Sequence, residues 1–405
     1  MNNYKNTPEE DSQSQEQPKE GNAKPTTENT PDFQMGGRLN PIKVYLDTNY
    51  DFKVNSLLER IEYKKKNELE YQIISDYAEN SILNRLLEKG HNCNSTLLKQ
   101  ILLSDFTKRY HPFIDYFNSL PLWDGEDHID KLADTVKTHN QEFWKVCLRK
   151  WLIGVVAGAI TQDQINHLLL VIQGGQGKGK SRWIRRLLPK SLVSYLYNGT
   201  LHGNNKDNLL LLQECFIINL EEFEDIKKIG ALKDLVTKVN TKVRRAYARN
   251  NESITQHASF IASINERRFL VDKTGNRRFP CFEVLEKIND EVFIDMDKVY
   301  AQAYHLYKQN EKHWFDHEEQ NKIEENNLSF QTMDELEEAI SELFSVPISI
   351  TEHTKFITSS QVLEIILEKK LVTRNYSPIH VGKKLTYLGF QRIKKDVYGY
   401  HVNIN

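Results

Sequence analysis

Gly174-Gly175-Gln176-Gly177-Lys178-Gly179-Lys180-Ser181 fills the pattern G-x-x-x-x-G-K-[ST], the phosphate-binding loop signature. Its flanks decide the reading. His167-Leu168-Leu169-Leu170-Val171-Ile172 precedes it as a short apolar run, and Arg182-Trp183-Ile184-Arg185-Arg186-Leu187-Leu188 follows with helical spacing until Pro189. A buried strand, a glycine-rich loop and a helix in that order are the setting such a loop requires. Glycines let successive backbone N–H groups turn inward as an anion nest, and a helix N-terminus adds the positive end of a dipole. Lys180 is the expected partner of the β- and γ-phosphates and Ser181 the expected Mg²⁺ ligand. Gly174, Gly175, Gln176, Gly177, Lys178 and Gly179 are expected to cradle ATP. A chance match in a glycine-rich surface loop is the competing reading, and both flanks weigh against it.

The chain has 405 residues, 39% of them hydrophobic, enough for a sizeable core and two or three domains. Its 54 basic and 56 acidic residues give a net charge of −2, which neither favours a nucleic-acid partner nor excludes a local basic channel. Cys93, Cys147, Cys215 and Cys281 lie far apart with no C-x-x-C, so neither a zinc site nor a disulfide framework is expected. The N-terminus lacks an apolar h-region and no apolar run is long enough to span a bilayer; a cytoplasmic protein with no membrane partner is expected.

Four segments follow from composition. Residues 1–38 are rich in Asn, Glu, Gln, Pro, Thr, Ser and Lys and read as a disordered tail. Residues 39–138 read as an N-terminal α+β region. Within it Ile42–Leu46 alternates like a strand, Phe52–Asn55 and Ile61–Tyr63 are short strands, and helices start near Ile74 and behind Ser95 or Thr96. His128 with Asp124 and Asp127 is a weak metal candidate, since turn carboxylates are usually solvated. Residues 139–325 hold the loop. Residues 326–405 read as helices followed by a hairpin, a winged-helix-like module whose Lys383, Lys384, Arg392, Lys394 and Lys395 would face phosphates. Binding of DNA or of protein there is left open.

Downstream of the loop, Cys215–Leu220 is a second apolar strand ending in Glu221-Glu222. Acids at such a strand end complete a Mg²⁺ shell and polarise a water. Glu221 is assigned to the metal and Glu222 to the base, and the two roles are exchangeable. Val243–Arg249 and Ile254–Phe260, on either side of Asn250-Asn251, read as the arms of a hairpin bearing Lys242, Arg244, Arg245, Tyr247 and Arg249, basic residues with an interleaved aromatic that suit single-stranded DNA. Phe260–Asn265 is a third apolar strand, and its terminal amide fits the residue that senses the γ-phosphate in ring-forming motors. Arg277 or Arg278, after a Thr-Gly-Asn turn, fits an arginine supplied to a neighbour's nucleotide; ion pairing with acids is the alternative role.

Together Tyr110-His111-Pro112-Phe113, Leu120–Gly125, the loop, Ile217–Phe223, Arg244-x-x-Tyr247-x-Arg249 and Thr274–Phe279 resemble the virulence-associated protein E family. The resemblance covers residues 40–325, and Asn219 stands where the family often has an acid. It implies an α/β P-loop NTPase core akin to AAA+ and superfamily 3 helicases, with the N-terminal α+β region and C-terminal winged-helix-like domain appended. It further implies a replicative helicase-like ATPase of a mobile element working with a separate primase chain. The expected assembly is a homo-oligomeric ring, a hexamer, using ATP and Mg²⁺ to move single-stranded DNA. The rival readings are an ATP-switched initiator without unwinding, a small-molecule kinase and an ATPase of an element-borne defence system.

Overall fold

Ile42 and Leu46 are four residues apart, a spacing that suits a strand and a helix alike. The computed structural model describes residues 39–201, 206–221, 240–243, 252–270, 276–352 and 354–405. In it Leu39–Asn49 is a helix, α1, and not the strand that the alternation predicts. Ile42 and Leu46 are buried at 1% and 0% exposure while Val44 is 58% exposed. Periods of two and of 3.6 residues coincide at i and i+4, so three apolar positions do not separate them. Val44 in solvent does.

The described chain forms two compact units. Residues 39–51 and 63–106 make the first. After α1 it holds β3 (Gln72–Ile73), α2 (Asp76–Glu88) and α3 (Ser95–Leu102). Ser75 caps α2, and Asn94, rather than Ser95 or Thr96, caps α3. The Ser95 hydroxyl donates to Glu79 at 2.7 Å and ties the two helices. Strands β1 (Tyr50–Asn55) and β2 (Arg60–Lys65) are each divided between the units, with residues 52–62 belonging to the second.

After residues 52–62 the second unit continues with β4 (Lys108–Tyr110), parallel to the end of β1, then α4 (Pro112–Ser119), α5 (His128–Ala133) and α6 (Gln141–Ile160). Its centre is built from β5 (Leu169–Gln173), α7 (Lys180–Arg186), β6 (Leu196–Gly199), α8 (Lys206–Glu214), β7 (Ile217–Glu221), the strand pair β8 (Asn240–Val243) and β9 (Glu252–Thr255), β10 (Ser259–Ile264) and β11 (Cys281–Glu283). Five of these strands form one sheet in the order β11-β5-β10-β7-β6, with every pairing parallel. Both faces are covered, as parallel sheets require. Leu170, Ile172, Ile217, Ile261 and Phe282 join one core with Trp144 and Trp151 of α6, while Leu169, Val171, Ile218, Leu220 and Phe260 join the core on the other face.

Near the predicted hairpin β8 pairs antiparallel with β9, in the register Asn240↔Thr255 to Val243↔Glu252; β8 precedes the expected first arm, which beyond Val243 lies outside the described residues, as does the Asn250-Asn251 turn. The second arm is shorter than the sequence suggests. Ile254 to Phe260 is two strands, because His257 N and Ala258 N both turn to the Leu212 carbonyl at 2.8 and 2.9 Å. Helices α9 (Met296–Lys308) and α10 (His317–Asn327) follow the sheet.

The end of the chain has its own core of Leu336, Ile340, Val362, Ile366, Val381, Leu385 and Val402. It is made by α11 (Glu335–Leu343), β12 (Phe344–Ser345), β13 (Lys355–Ile357), α12 (Ser359–Glu368), α13 (Pro378–Tyr387), β14 (Arg392–Lys394) and β15 (Tyr398–Ile404). Capping boxes start α11 and α12, and Ser377 with Pro378 starts α13. Lys384 departs from the expected basic face. It pairs with Asp334 and, at 2.7 Å, with Glu337, whose 1% exposure leaves its charge dependent on that ammonium. No helix among the described residues is long and apolar enough to cross a membrane.

Two histidines meet beneath α4. His111 caps the helix by accepting the Ile114 N–H on Nδ1, and its ring lies edge-on to His257 at 5.1 Å. His257 Nδ1 lies 2.8 Å from the Gly158 carbonyl, which can only accept, so that nitrogen carries the proton. Burial, then the neighbouring His257, pushes His111 down to about 4, and burial lowers His257 too. The unfolded chain takes up the His111 proton near pH 6.5 and the folded chain near 4. Stability is therefore full above 6.5, falls as pH drops towards 4 and levels off below. Denaturant unfolding between pH 7 and 4.5 should show a loss of about 2–3 kcal/mol. His111→Asn keeps a cap acceptor without a titrating ring, and should remove most of that loss.

Candidate functional site

Backbone geometry shapes the loop between β5 and α7. Gly177 and Gly179 have φ of +85° and +88°, the left-handed region that favours glycine. Gly174 is needed for a different reason. A Cβ there would lie 3.2 Å from Lys178 Cδ and 3.3 Å from the Val284 carbonyl oxygen, whereas one on Gly175 would meet nothing within 4 Å. Helix α7 has only seven residues, so its dipole is short and the loop N–H groups and Lys180 carry most of any attraction for an anion.

Two lysines of the loop take opposite roles. Lys180 is 7% exposed, and its ammonium donates to Gly174 O at 2.5 Å, Gly175 O at 3.1 Å and Asn265 Oδ1 at 2.9 Å. Burial, then the nearby Lys178, lowers its pKa. Lys178 turns away, to the carbonyls of Val284 and of Leu285, the latter at 3.0 Å. The Ile288 N–H returns the contact by donating to the Lys178 carbonyl at 2.9 Å. Lys178 thus fastens the back of the loop to the segment after β11.

Sheet order brings the remaining polar groups to Lys180. The loop leaves the C-terminal end of β5, and β10 and β7 end beside it, with Ile264 opposite Gln173 and Ser263 opposite Glu221. A cavity of about 260 Å³ is lined there by Gln176, Lys180, Ser181, Glu221, Ser263 and Asn265. Ligands of open parallel sheets bind outside this end of the strands. Glu221 is oriented by Asn219, whose Nδ2 lies 3.2 Å from Glu221 Oε1 and 2.9 Å from Asn198 Oδ1. Asn219 is fully buried, and an amide donor there holds the carboxylate that a second acid would repel.

The other predicted residues fall into three groups. Glu222, Arg244, Arg245, Tyr247 and Arg249 lie outside the described residues, as does the side chain of Lys242, whose backbone belongs to β8. Arg277 and Arg278 lie at the opposite end of the sheet. The Arg278 carbonyl accepts from Leu169 N, at the start of β5, and Arg277 donates to Gln320 at 3.2 Å. The strand between that point and the loop is about 13 Å long, so neither arginine lines this chain's own cavity. His128 and Asp124 pair at 2.8 Å, Asp127 caps α5 and binds Arg149, and no group of three or more His, Cys, Asp or Glu among the described residues is placed to hold a metal. Ser181 and Glu221, by contrast, offer hydroxyl and carboxylate oxygens to one cavity. That donor set fits Mg²⁺ completed by phosphate oxygens and water. Sequence reasoning missed Asn219 as a positioning group and the 284–290 segment altogether, which lies about a hundred residues from the loop and carries no motif.

Residues 117–332 match the family described as the virulence-associated protein E-like domain, more than half of the chain, and the protein belongs to that family. No curated protein matches it. Among solved structures it is similar to the apo C-terminal region of NrS-1, at 13% identity over 91% of this chain and 99% of that one with a TM-score of 0.45. An A-form apo structure of the same region gives 12% identity, 90% and 98% coverage and a TM-score of 0.43.

The glycines should separate under mutation. Gly174→Ala is expected to lower stability by about 1–2 kcal/mol, and Gly175→Ala to change it by less than about 0.5 kcal/mol, read by thermal unfolding. Lys178→Met should speed amide hydrogen exchange at Ile288 and Val284 and leave the C-terminal module unchanged.

Proposed function

We propose that the protein is an ATP-driven DNA translocase of the helicase type that works as a ring in the replication of a mobile element, beside a separate primase. One observation carries the reading: β10 lies between β5 and β7, so the loop, Asn265 and Glu221 converge on a single cavity. A motor needs the γ-phosphate placed between a carboxylate and a polar sensor.

In this reading the loop N–H groups and Lys180 hold the triphosphate of ATP. Lys180 exchanges its carbonyl partners for phosphate oxygens, and Asn265 stays in register to report the γ-phosphate. Ser181 and Glu221 would hold Mg²⁺, which supplies charge neutralisation on the phosphates. Glu222 follows Glu221 in sequence and is assigned to the attacking water. The placement of Arg277 and Arg278 at the far end of β5 supports their supply to a neighbouring subunit, so that hydrolysis depends on assembly. The β8–β9 pair, with Lys242, Arg244, Arg245, Tyr247 and Arg249 in and around it, is the proposed grip on single-stranded DNA.

The C-terminal module supports a second reading, an initiator that assembles on DNA without unwinding it. Its helix–strand–helix–helix–hairpin order is that of a winged helix, and Arg392 sits 4.2 Å over the Tyr398 ring on the hairpin. A forked-duplex assay separates the two readings: strand displacement requires the motor.

ATP hydrolysis should rise when single-stranded DNA is added. Lys180→Ala should lower kcat by at least about a hundredfold. Parent-like turnover in that variant would sink the assignment. Arg277→Ala and Arg278→Ala subunits mixed with Lys180→Ala subunits should recover part of the activity if an arginine acts across the boundary.

A further inference from the structure

Beside the phosphate cavity lies a second one of about 170 Å³, walled by Arg182, Trp183, Arg186, Lys287, Ile288 and Asp290. The two cavities share Gly177, Gly179 and Arg182. Positions 179, 182, 183 and 186 recur at i, i+3, i+4 and i+7, so α7 presents one continuous face to it. The opposite wall is the segment after β11 that Lys178 fastens to the loop.

We infer that this second cavity receives the purine nucleoside of the bound triphosphate. The inference rests on the reading of the loop as a triphosphate site. Glu221 and Asn265 mark the γ-phosphate end of the first cavity, so the nucleoside leaves at the other end, past Gly177, Gly179 and Arg182. That is where the second cavity opens. Its composition suits a base better than another phosphate. Trp183 and Ile288, 1% and 4% exposed, provide apolar wall, and Asp290 already neutralises Arg182.

Arg186 supplies the polar contact. Its Nη2 donates to the Val292 carbonyl at 2.6 Å, while Nη1 is buried with no hydrogen-bond partner. A buried donor left unpaired is costly, and a ring nitrogen of adenine would satisfy it. Trp183 is held in place by its N–H to Thr135 Oγ1 at 2.9 Å, and Asn289 N binds the Thr135 carbonyl at 3.2 Å, so one residue braces both walls.

The test compares ATP with inorganic tripolyphosphate, which keeps the phosphates and lacks the nucleoside. The full chain should bind ATP more tightly than tripolyphosphate. Arg186→Met should weaken ATP about tenfold or more and leave tripolyphosphate within about twofold, which also reports an intact loop. Unchanged ATP affinity in the variant, or an equal loss for both ligands, would overturn the inference. If the parent chain binds neither ligand, the triphosphate reading fails and this one with it. As a measurement on the unaltered chain, 8-azido-ATP should crosslink within residues 182–186 or 287–292. Crosslinks found only elsewhere would also overturn it.

Discussion

The parallel pairing of β10 between β5 and β7 is the constraint on which the site depends. Three strands ending at one edge place Ile264 level with Gln173 and Ser263 level with Glu221, and the residue after Ile264, Asn265, reaches the Lys180 ammonium. A slip of one residue would turn each side chain of β10 to the other face. Here both faces are packed, with Phe260 and Ala262 on one side and Ile261 on the other. Register is therefore specified twice, and with it the position of the amide opposite the lysine.

The second constraint is the strap behind the loop. Residues 284–289 are stitched to the rest of the unit by Val284 N to Gln173 O, Leu285 N to Lys137 O, Ile288 N to Lys178 O and Asn289 N to Thr135 O. Lys178 closes the strap with its ammonium on two carbonyls. A glycine-rich loop free of such a strap would lose much conformational entropy on binding an anion. Fastening its back beforehand leaves less of that freedom to lose, and it sends the ammonium groups of Lys178 and Lys180 to different partners. Gly174 has no Cβ because the strap passes so close.

Much of this was legible because it is local. The apolar runs that became β5, β7 and β10 were recognisable from length and composition, as was a helix starting near Ile74. Where local signals coincide, the reading failed. Ile42, Val44 and Leu46 fit two periods at once, and only solvent around Val44 distinguishes them. The arm after Ile254 looked continuous because the turn at His257 is made by a carbonyl more than forty residues away.

The chain's own order of residues determined which groups can meet at the site: a loop able to bend at Gly177 and Gly179, a lysine at its end, and polar residues terminating two apolar strands. These follow from spacing and from the backbone freedom of individual residues. Tertiary structure alone decided which of them do meet. It inserted β10 between β5 and β7, sent Lys178 to the strap and Lys180 to Asn265, made Asn219 the support of Glu221, and left Arg277 and Arg278 at the far end of the sheet. Each of those outcomes is a hydrogen bond or a strand pairing between residues distant in sequence. No local pattern encodes such a contact, because its partner is chosen by the packing of the whole core.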